Sequence, residues 1–511
     1  MTQVWPPITM ATQHPDNASI PWWRKDAFVP TQDELAEMTL LFEELPIDEY
    51  MWDWEGKYVD EAVGEKLFSR AQELFTRRPL GEELHLTYRI PAFDGEKMHR
   101  MARAFMNILS LADLSKDIGL ARPAVTEMFL PLTTSADQPR KVRETFKEVM
   151  KYHRAIFHTD STQDSLMQSL FEVTPLVEDV DSLLSIEKIL QPYWSSLVKE
   201  KPDIATRGQR IFLARSDPAM NAGLMPAVLA VKVALSTIST LSSSLGFAAH
   251  PILGTGSLPF RGSVNPTYTD PFLRQYAGTR TYSIQSAFRY DYPKEEAKQA
   301  LEKIRAVSPT LSTIVVPDAD KQRIIALCKN MSALWRPTIE SIAPLINAVA
   351  AHVPPRRERL QHIGLFGYSR GIGKVRLPRA IGFTAALYSI GVPPEFITTG
   401  RGLRLAQTNN QLDLLETYYP ALRDDLQHAG KYLNRENLSL LAKSDAQFVG
   451  IQEDIAAIES ILGIQLTQEK PHHLIHRNLT SSIYQRLMAD ENDPHLAADI
   501  VEAGIIRKSL G

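Results

Sequence analysis

The chain has 511 residues, of which 56 are Lys or Arg and 60 are Asp or Glu, so its formal net charge is -4. This near balance gives no global field that would attract nucleic acid or an anionic membrane, so anion binding must come from local arginines or lysines. Cys328 is the one cysteine, which excludes an internal disulfide and a thiolate metal cluster. Because we see no signal peptide and no apolar run of about 18 residues, we expect a cytoplasmic protein with no membrane partner.

Helical periodicity dominates the chain. Apolar residues recur at spacings of three and four, with polar residues opposite them, which is typical of amphipathic helices. The predicted helical segments are 32–42, 60–76, 96–111, 141–158, 226–245, 294–307, 318–343, 412–428, 446–462 and 479–490.

Short apolar or β-branched runs lie between many of these helices and predict strands. The runs are 84–89, 128–134, 170–176, 211–215, 251–255, 282–287, 363–367 and 396–399. Strands separated by helices indicate a parallel sheet, so we predict an α/β fold with a (β/α)8 barrel elaborated by many additional helices. We expect a single domain over residues 1–511, with the barrel at about 80–400 and a C-terminal helical region at 401–511. A doubly wound open sheet is the alternative, disfavoured because no Gly-rich phosphate turn follows a strand.

A histidine near the start of the chain is the first candidate for chemistry. His14 stands within the segment TQHPDN at residues 12–17, where the following proline favours an extended backbone over a helix. Imidazole titrates near neutrality, so a histidine held on a loop or strand end can carry a proton. A hydrogen-bonded turn residue is the alternative interpretation of the local pattern.

Two carboxylates stand just past predicted strands. Glu178 follows the strand at 170–176, and Asp217 follows the strand at 211–215. The C-terminal strand ends of a barrel meet at one mouth, so the two side chains could converge there. With water and substrate oxygens they would suit Mg²⁺ or Mn²⁺. The alternative is that each caps the helix that follows it.

Arginines gather at the same strand ends. Arg89 ends the strand at 84–89, and Arg261 lies in a glycine-containing loop where a guanidinium can bind an oxyanion bidentately. Arg370 and Arg379 belong to a basic, glycine-rich stretch that indicates phosphate or carboxylate recognition. Solvated basic residues are the alternative. With the histidine and the carboxylates, this set suits a small, highly anionic substrate such as a phosphorylated carboxylate.

Taken in order, these segments resemble those of the phosphoenolpyruvate carboxylase family, in its short archaeal-type form. The similar motifs are those of the catalytic histidine, a strand-end arginine, the two metal carboxylates, the essential loop arginine and the phosphate-holding arginines. They fall at 12–17, 86–89, 175–178, 216–217, 258–262, 370 and 377–381. The longer forms of the family carry an arginine where Thr255 stands and a lysine where Met220 stands, so the anion contacts must be partly redistributed here.

The resemblance implies carboxylation of phosphoenolpyruvate with bicarbonate, giving oxaloacetate and inorganic phosphate in an anaplerotic fixation of CO2. It implies a lyase that works through carboxyphosphate and a metal-bound pyruvate enolate, with Mg²⁺ or Mn²⁺ as cofactor and a homotetramer as the assembly. A barrel lyase or aldolase that acts on a related 2-oxo acid through the same Mg²⁺–enolate chemistry is the alternative.

The resemblance also implies roles for the matching residues. His14 would take a proton from carboxyphosphate and Arg261 would hold the carboxylated intermediate, both as catalytic residues. Glu178 and Asp217 would be the metal ligands. Phosphate contacts and an apolar wall for CO2 would come from the substrate-binding residues, which are Arg89, Arg370, Arg379, Leu176 and Phe212.

Overall fold

The computed structural model describes most of the chain. The described residues are 5–55, 59–93, 98–157, 167, 169–201, 203–358, 371–372, 375–468 and 470–511. The predicted strand at 363–367 and the candidate Arg370 lie outside these ranges.

Eight parallel strands form a closed barrel in chain order, with β8 paired to β1. They are β1 (Thr9–Thr12), β2 (Glu49–Asp53), β3 (His85–Arg89), β4 (Glu127–Leu130), β5 (Glu172–Val177), β6 (Gln209–Ala214), β7 (Ala249–Gly254) and β8 (Thr281–Ile284). A separate antiparallel pair is formed by β9 (Gly371–Ile372) and β10 (Val375–Arg376). The predicted elaborated (β/α)8 barrel is confirmed.

The barrel lies at residues 9–284, rather than at the predicted 80–400. β1 and β2 escape prediction because only the two middle residues of β1 are apolar, and because Glu49 and Asp53 interrupt the apolar pattern of β2. The predicted strand at 396–399 is wrong. Pro394–Phe396 is a 3-10 helix, and an α-helix begins at Thr399 directly after it.

Helices surround the barrel and continue to the C-terminal end of the chain, so residues 401–511 are helical as expected. In the described ranges they are α1 (Glu34–Glu44), α2 (Val63–Arg70), α3 (Gln72–Arg77), α4 (Met98–Asp117), α5 (Asp137–Phe157), α6 (Val180–Leu184), α7 (Ile186–Glu200), α8 (Ile204–Arg207), α9 (Ser216–Ala222), α10 (Leu224–Ser244), α11 (Thr269–Gln275), α12 (Ser286–Tyr290), α13 (Lys294–Val307), α14 (Asp318–Ala350), α15 (Ala380–Ser389), α16 (Thr399–Thr408), α17 (Leu412–Tyr418), α18 (Leu422–Gly430), α19 (Arg435–Ser444), α20 (Ala446–Leu462), α21 (Pro471–Ala489) and α22 (Leu496–Arg507). By length and composition α10 could cross a membrane, but 89% of its most apolar window is buried. The bent pair formed by Pro394–Thr408 and α15 passes the same test.

The inside of the barrel changes character from its N-terminal end to its mouth. At the N-terminal end Arg210 donates to Glu127 at 2.8 Å and to Glu49 at 2.7 Å, and all three side chains are buried. Above this ionic layer lies an apolar cluster, formed by Met10, Met51, Phe129, Leu176, Phe212, Ala214 and Ile252. The apolar cluster separates the ionic layer from the mouth, where the strands end.

Candidate active site

A cavity of about 450 Å³ lies at the C-terminal ends of the strands. Its walls come from the strand ends, from residues 350–356 and from the start of α15. Every predicted site residue in the described ranges lines this cavity, and these are His14, Arg89, Leu176, Glu178, Phe212, Asp217, Arg261 and Arg379. The fold thus gathers side chains that lie far apart in the sequence.

His14 lies on the loop directly after β1, as its proline neighbour predicts. Its ring Nδ1 is 2.9 Å from the hydroxyl of Thr12, so one ring nitrogen is engaged with the strand end. The His14 carbonyl accepts a hydrogen bond of 2.8 Å from the hydroxyl of Ser286, the first residue of α12. The histidine is therefore held at the mouth by β1 and by the helix that follows β8.

Arg261 lies in the loop after β7 and is 1% exposed. Its Nη1 donates to Asp16 at 3.1 Å and to the carbonyl of Gly511 at 2.5 Å, while Nη2 donates to Gln285 at 2.5 Å. Burial lowers the pKa of the guanidinium, and the Asp16 carboxylate opposes that effect. Gly256 is needed here because a Cβ would lie 2.6 Å from the Arg261 Cζ. Asp16 was not among the predicted site residues, although it stands two residues after His14.

The loop that carries Arg261 is held by buried carboxylates from the C-terminal half of the chain. The backbone N–H of Phe260 donates to Glu395 at 2.8 Å, and the Ser263 hydroxyl donates to Asp425 at 2.6 Å. Burial raises the pKa of Glu395 to about 7 and that of Asp425 to about 6. These contacts fix the loop from outside the barrel, and no sequence motif indicated them.

Arg89 ends β3 and is paired with acidic residues at the end of β2. Its Nε and Nη2 donate to the two carboxylate oxygens of Asp53 at 2.9 and 2.6 Å, and Glu55 lies 3.3 Å from Nε. Burial alone lowers the pKa of the guanidinium, but the carboxylates of Asp53 and Glu55 raise it well above its usual value. Arg89 is therefore a fixed cation whose charge is already largely balanced.

Glu178 and Asp217 follow β5 and β6, which are neighbours in the barrel. One Glu178 oxygen accepts from the backbone N–H of Leu132 at 2.8 Å. The residue that caps α6 is Asp179, so the capping alternative for Glu178 is wrong. Asp217 is half-buried in the first turn of α9.

The two carboxylates fit a hard cation. Oxygen donors from one or two side chains, completed by water and substrate oxygens, are what Mg²⁺ and Mn²⁺ accept. Within the described ranges no group of three or more His, Cys, Asp or Glu residues is placed to hold a metal ion. A cation at Glu178 and Asp217 would therefore keep positions open for substrate.

The floor of the cavity is apolar. Leu176 and Phe212 face each other in the pairing of β5 with β6, and both are almost fully buried. The Phe212 ring packs edge-on against Phe129, with centroids 5.1 Å apart. Gly254 lets the aromatic ring approach, because a Cβ there would lie 2.9 Å from the Phe212 Cε2.

Two arginines after the barrel complete the described walls. Arg379 is the residue that precedes α15, at the helix N-terminus. Arg356 was not predicted, and its Nε and Nη2 donate to the carbonyls of Asn17 and Ala18 at 3.0 and 2.9 Å. In the sequence it belongs to a charged run that is typical of a solvated surface, and only the fold brings it to the cavity.

The comparisons with known proteins all indicate one family. A family model described as phosphoenolpyruvate carboxylase matches residues 7–511. The phosphoenolpyruvate carboxylase of Metallosphaera sedula is 37% identical over 99% of both chains, and that of Caldivirga maquilingensis is 36% identical over 99% of both. That of Leuconostoc mesenteroides is 33% identical over 91% of this chain and 92% of its own.

The fold and the charged mouth define a barrel enzyme of the (β/α)8 class with a cavity suited to anions, and the relatives make it a lyase. The chain belongs to the phosphoenolpyruvate carboxylase family, which confirms the predicted resemblance and the predicted enzyme. Its activity is CO2 fixation, the carboxylation of phosphoenolpyruvate to oxaloacetate.

Proposed function

We propose that the cavity joins phosphoenolpyruvate and bicarbonate through carboxyphosphate and the enolate of pyruvate, and releases oxaloacetate and inorganic phosphate. The supporting observation is that a single cavity collects a histidine, several arginines, two carboxylates and an apolar floor. These are the groups that a phosphorylated carboxylate and a reactive enolate require.

The first step is attack of a bicarbonate oxygen on the phosphorus, with cleavage of the bond between phosphorus and the enol oxygen. Phosphoryl transfer depends mainly on positioning and on charge stabilisation. Arg89 and Arg379 would orient the phosphoryl group, together with Arg370 of the predicted basic stretch. Because Asp53 and Glu55 fix the Arg89 guanidinium, it needs little reorganisation when the anion arrives.

Glu178 and Asp217 would hold Mg²⁺ or Mn²⁺. When bound, the ion would supply positive charge that stabilises the phosphoryl and enolate oxygens. The hydrogen bond from Leu132 orients the Glu178 carboxylate from the side.

In the second step His14 takes the proton of carboxyphosphate, which then separates into CO2 and phosphate. Thr12 engages Nδ1 of the ring, so the ring has a defined orientation at the mouth. Arg261 would bind the carboxylate of the developing product. Leu176 and Phe212 would keep the CO2 near the enolate and exclude water, which protects the enolate from protonation.

A malate dehydrogenase-coupled assay tests this proposal. We expect oxaloacetate and phosphate in equal amounts, and only when bicarbonate and a divalent cation are both present. Cleavage of a 2-oxo acid by the same protein, with no phosphate released from phosphoenolpyruvate, would support the lyase or aldolase instead. Phosphate release that does not depend on bicarbonate would indicate hydrolysis and would contradict the proposal. We further propose a homotetramer in the cytoplasm, which sedimentation velocity of the purified protein and cell fractionation can test.

A further inference from the structure

Two of the arginines that line the cavity are already paired with carboxylates before any substrate arrives. Arg89 is paired with Asp53 and Glu55, and Arg261 is paired with Asp16. A phosphate monoester carries a charge of about -1.5 to -2 near neutral pH, and the carboxylate of the substrate adds to it. Such a ligand calls for positive charge that no carboxylate of the protein already neutralises.

Arg356 supplies such a charge. It lines the cavity and is 7% exposed, and no described carboxylate lies within ion-pair distance of it. Its Nε and Nη2 are satisfied by the carbonyls of Asn17 and Ala18, whereas no described residue accepts a hydrogen bond from Nη1. Burial lowers the pKa of the Arg356 guanidinium, and the carboxylate of Asp291 opposes this. A buried guanidinium without a counter-ion is costly, so one that faces a cavity indicates an anionic ligand.

The N-terminus of α15 faces the same cavity. Ala380, Ile381 and Gly382 line it, and no side chain of the described residues caps the helix. Among the described residues none accepts a hydrogen bond from the backbone N–H groups of these three. The N–H groups of a first helical turn and the helix dipole together favour an anion at this position.

We propose that Arg356 and the first backbone N–H groups of α15 bind the phosphate group of the substrate. A guanidinium and a helix N-terminus offer several donors to one tetrahedral oxyanion, which is the usual arrangement around a bound phosphate. The inference rests on the proposed function in attributing that phosphate to phosphoenolpyruvate. Binding of inorganic phosphate, the product, can be measured without turnover.

The test is calorimetric titration of the full-length protein with inorganic phosphate. R356Q should bind phosphate roughly 10-fold or more weakly than the unchanged protein, because a hydrogen bond to a charged group is lost. R356K keeps the charge and should recover part of the affinity. R356Q should also raise the KM for phosphoenolpyruvate while leaving the KM for bicarbonate unchanged.

D291N is the matched control. The Asp291 carboxylate accepts hydrogen bonds from the backbone of Ala18 and Ser19, so the variant loosens the same loop that Arg356 holds, without removing a donor from the cavity. It should bind phosphate within about twofold of the unchanged protein, because the asparagine oxygen can still accept from the loop backbone and every proposed phosphate donor stays in place. Equal loss of phosphate affinity in D291N and R356Q would reduce Arg356 to a structural role and overturn the proposal.

A380P tests the helix separately. Proline is favoured at the first position of a helix and lacks an N–H, so A380P removes one proposed donor without opposing the fold. We expect several-fold weaker phosphate binding and an unchanged circular dichroism spectrum. Unchanged phosphate affinity in both R356Q and A380P, or no phosphate binding by the unchanged protein, would overturn the proposal. Titration with succinate, a dicarboxylate without phosphate, gives a further check. If R356Q lost succinate binding but kept phosphate binding, the site would be a dicarboxylate site and the proposal would be overturned. Phosphate binding without oxaloacetate formation would instead contradict only the proposed function.

Discussion

The two ends of the barrel interior both contain a buried arginine between carboxylates, and among the described residues the arginine at the mouth is the one that lines the cavity. At the N-terminal end Arg210 is 1% exposed and is bound to Glu49 and Glu127. At the mouth Arg89 is almost as buried and is bound to Asp53, yet it also lines the cavity. At both ends the carboxylates raise the pKa of the guanidinium against the effect of burial. The same ionic arrangement is therefore enclosed at the N-terminal end and open to a ligand at the mouth.

The largest effect is expected at the mouth. H14N should reduce oxaloacetate formation by roughly 10³-fold, within the range that general acid–base groups contribute. Phosphate release from phosphoenolpyruvate should be partly retained, because the first step does not need this proton transfer. Parallel assays of phosphate and oxaloacetate measure how far the loss of oxaloacetate formation exceeds the loss of phosphate release. Equal loss of both products would contradict the role given to His14.

The enclosed end should respond through stability instead. R210M leaves Glu49 and Glu127 buried without their partner, which should lower the free energy of unfolding by about 3–5 kcal/mol. Urea denaturation measures this change. The KM for phosphoenolpyruvate should stay unchanged in the folded fraction. K303M, which breaks the exposed pair of Lys303 with Asp270, is the control and should change the unfolding free energy by less than about 1 kcal/mol.

The metal carboxylates should give an intermediate effect. D217N should shift half-maximal activation by Mn²⁺ at least roughly 10-fold upward, since loss of even an outer-shell partner weakens metal sites by about 10–100-fold. A titration of activity against Mn²⁺ measures the shift. D181N serves as the control, because Asp181 follows β5 on α6 but does not line the cavity. Identical activation curves for D217N and D181N would remove Asp217 from the proposed ligands.

The smallest expected effect is a pH dependence at the Arg261 loop. Burial raises the pKa of Glu395 to about 7, so the folded protein holds this proton more tightly than the unfolded chain. This contribution to stability is full below the unfolded pKa and is lost as pH rises towards 7. It should amount to about 1 kcal/mol between pH 6 and pH 7.

E395Q removes this titration and keeps an oxygen that can accept from Phe260 and from the hydroxyl of Tyr388. Urea denaturation at pH 6 and pH 7 should show a smaller fall in stability for E395Q than for the unchanged protein. The nearby Asp425 titrates in both proteins, so the difference between them isolates Glu395. The same fall in both would contradict the assigned pKa.

Most of the barrel could be predicted because β3 to β8 contain apolar runs bounded by turn residues. β2 could not, because its acidic side chains point into the barrel, where Glu49 meets Arg210 and Asp53 meets Arg89. Their partners lie far away in the sequence, so local patterns show only an interrupted apolar run. A strand whose charged residues form buried ion pairs therefore lacks the apolar periodicity by which strands are predicted.

The residues of the candidate site also divide into those that the sequence predicts and those that it does not. Residues at strand ends, such as Glu178 and Asp217, can be predicted from the sequence because the fold class itself predicts where the strand ends meet. Arg356 cannot be predicted in this way, because a run of charged residues usually lies on a solvated surface. Its approach to Asn17 depends on the packing of the whole chain. Glu395 likewise reaches the Arg261 loop only through the helical region after the barrel.

Turnover with ¹⁸O-labelled bicarbonate tests the central claim most directly. If the cavity brings a bicarbonate oxygen to the phosphorus, each phosphate released should carry one labelled oxygen, and the new carboxylate of oxaloacetate should carry the other two. Mass spectrometry of both products measures the label. Unlabelled phosphate would show that water attacks the phosphorus, and it would contradict the account.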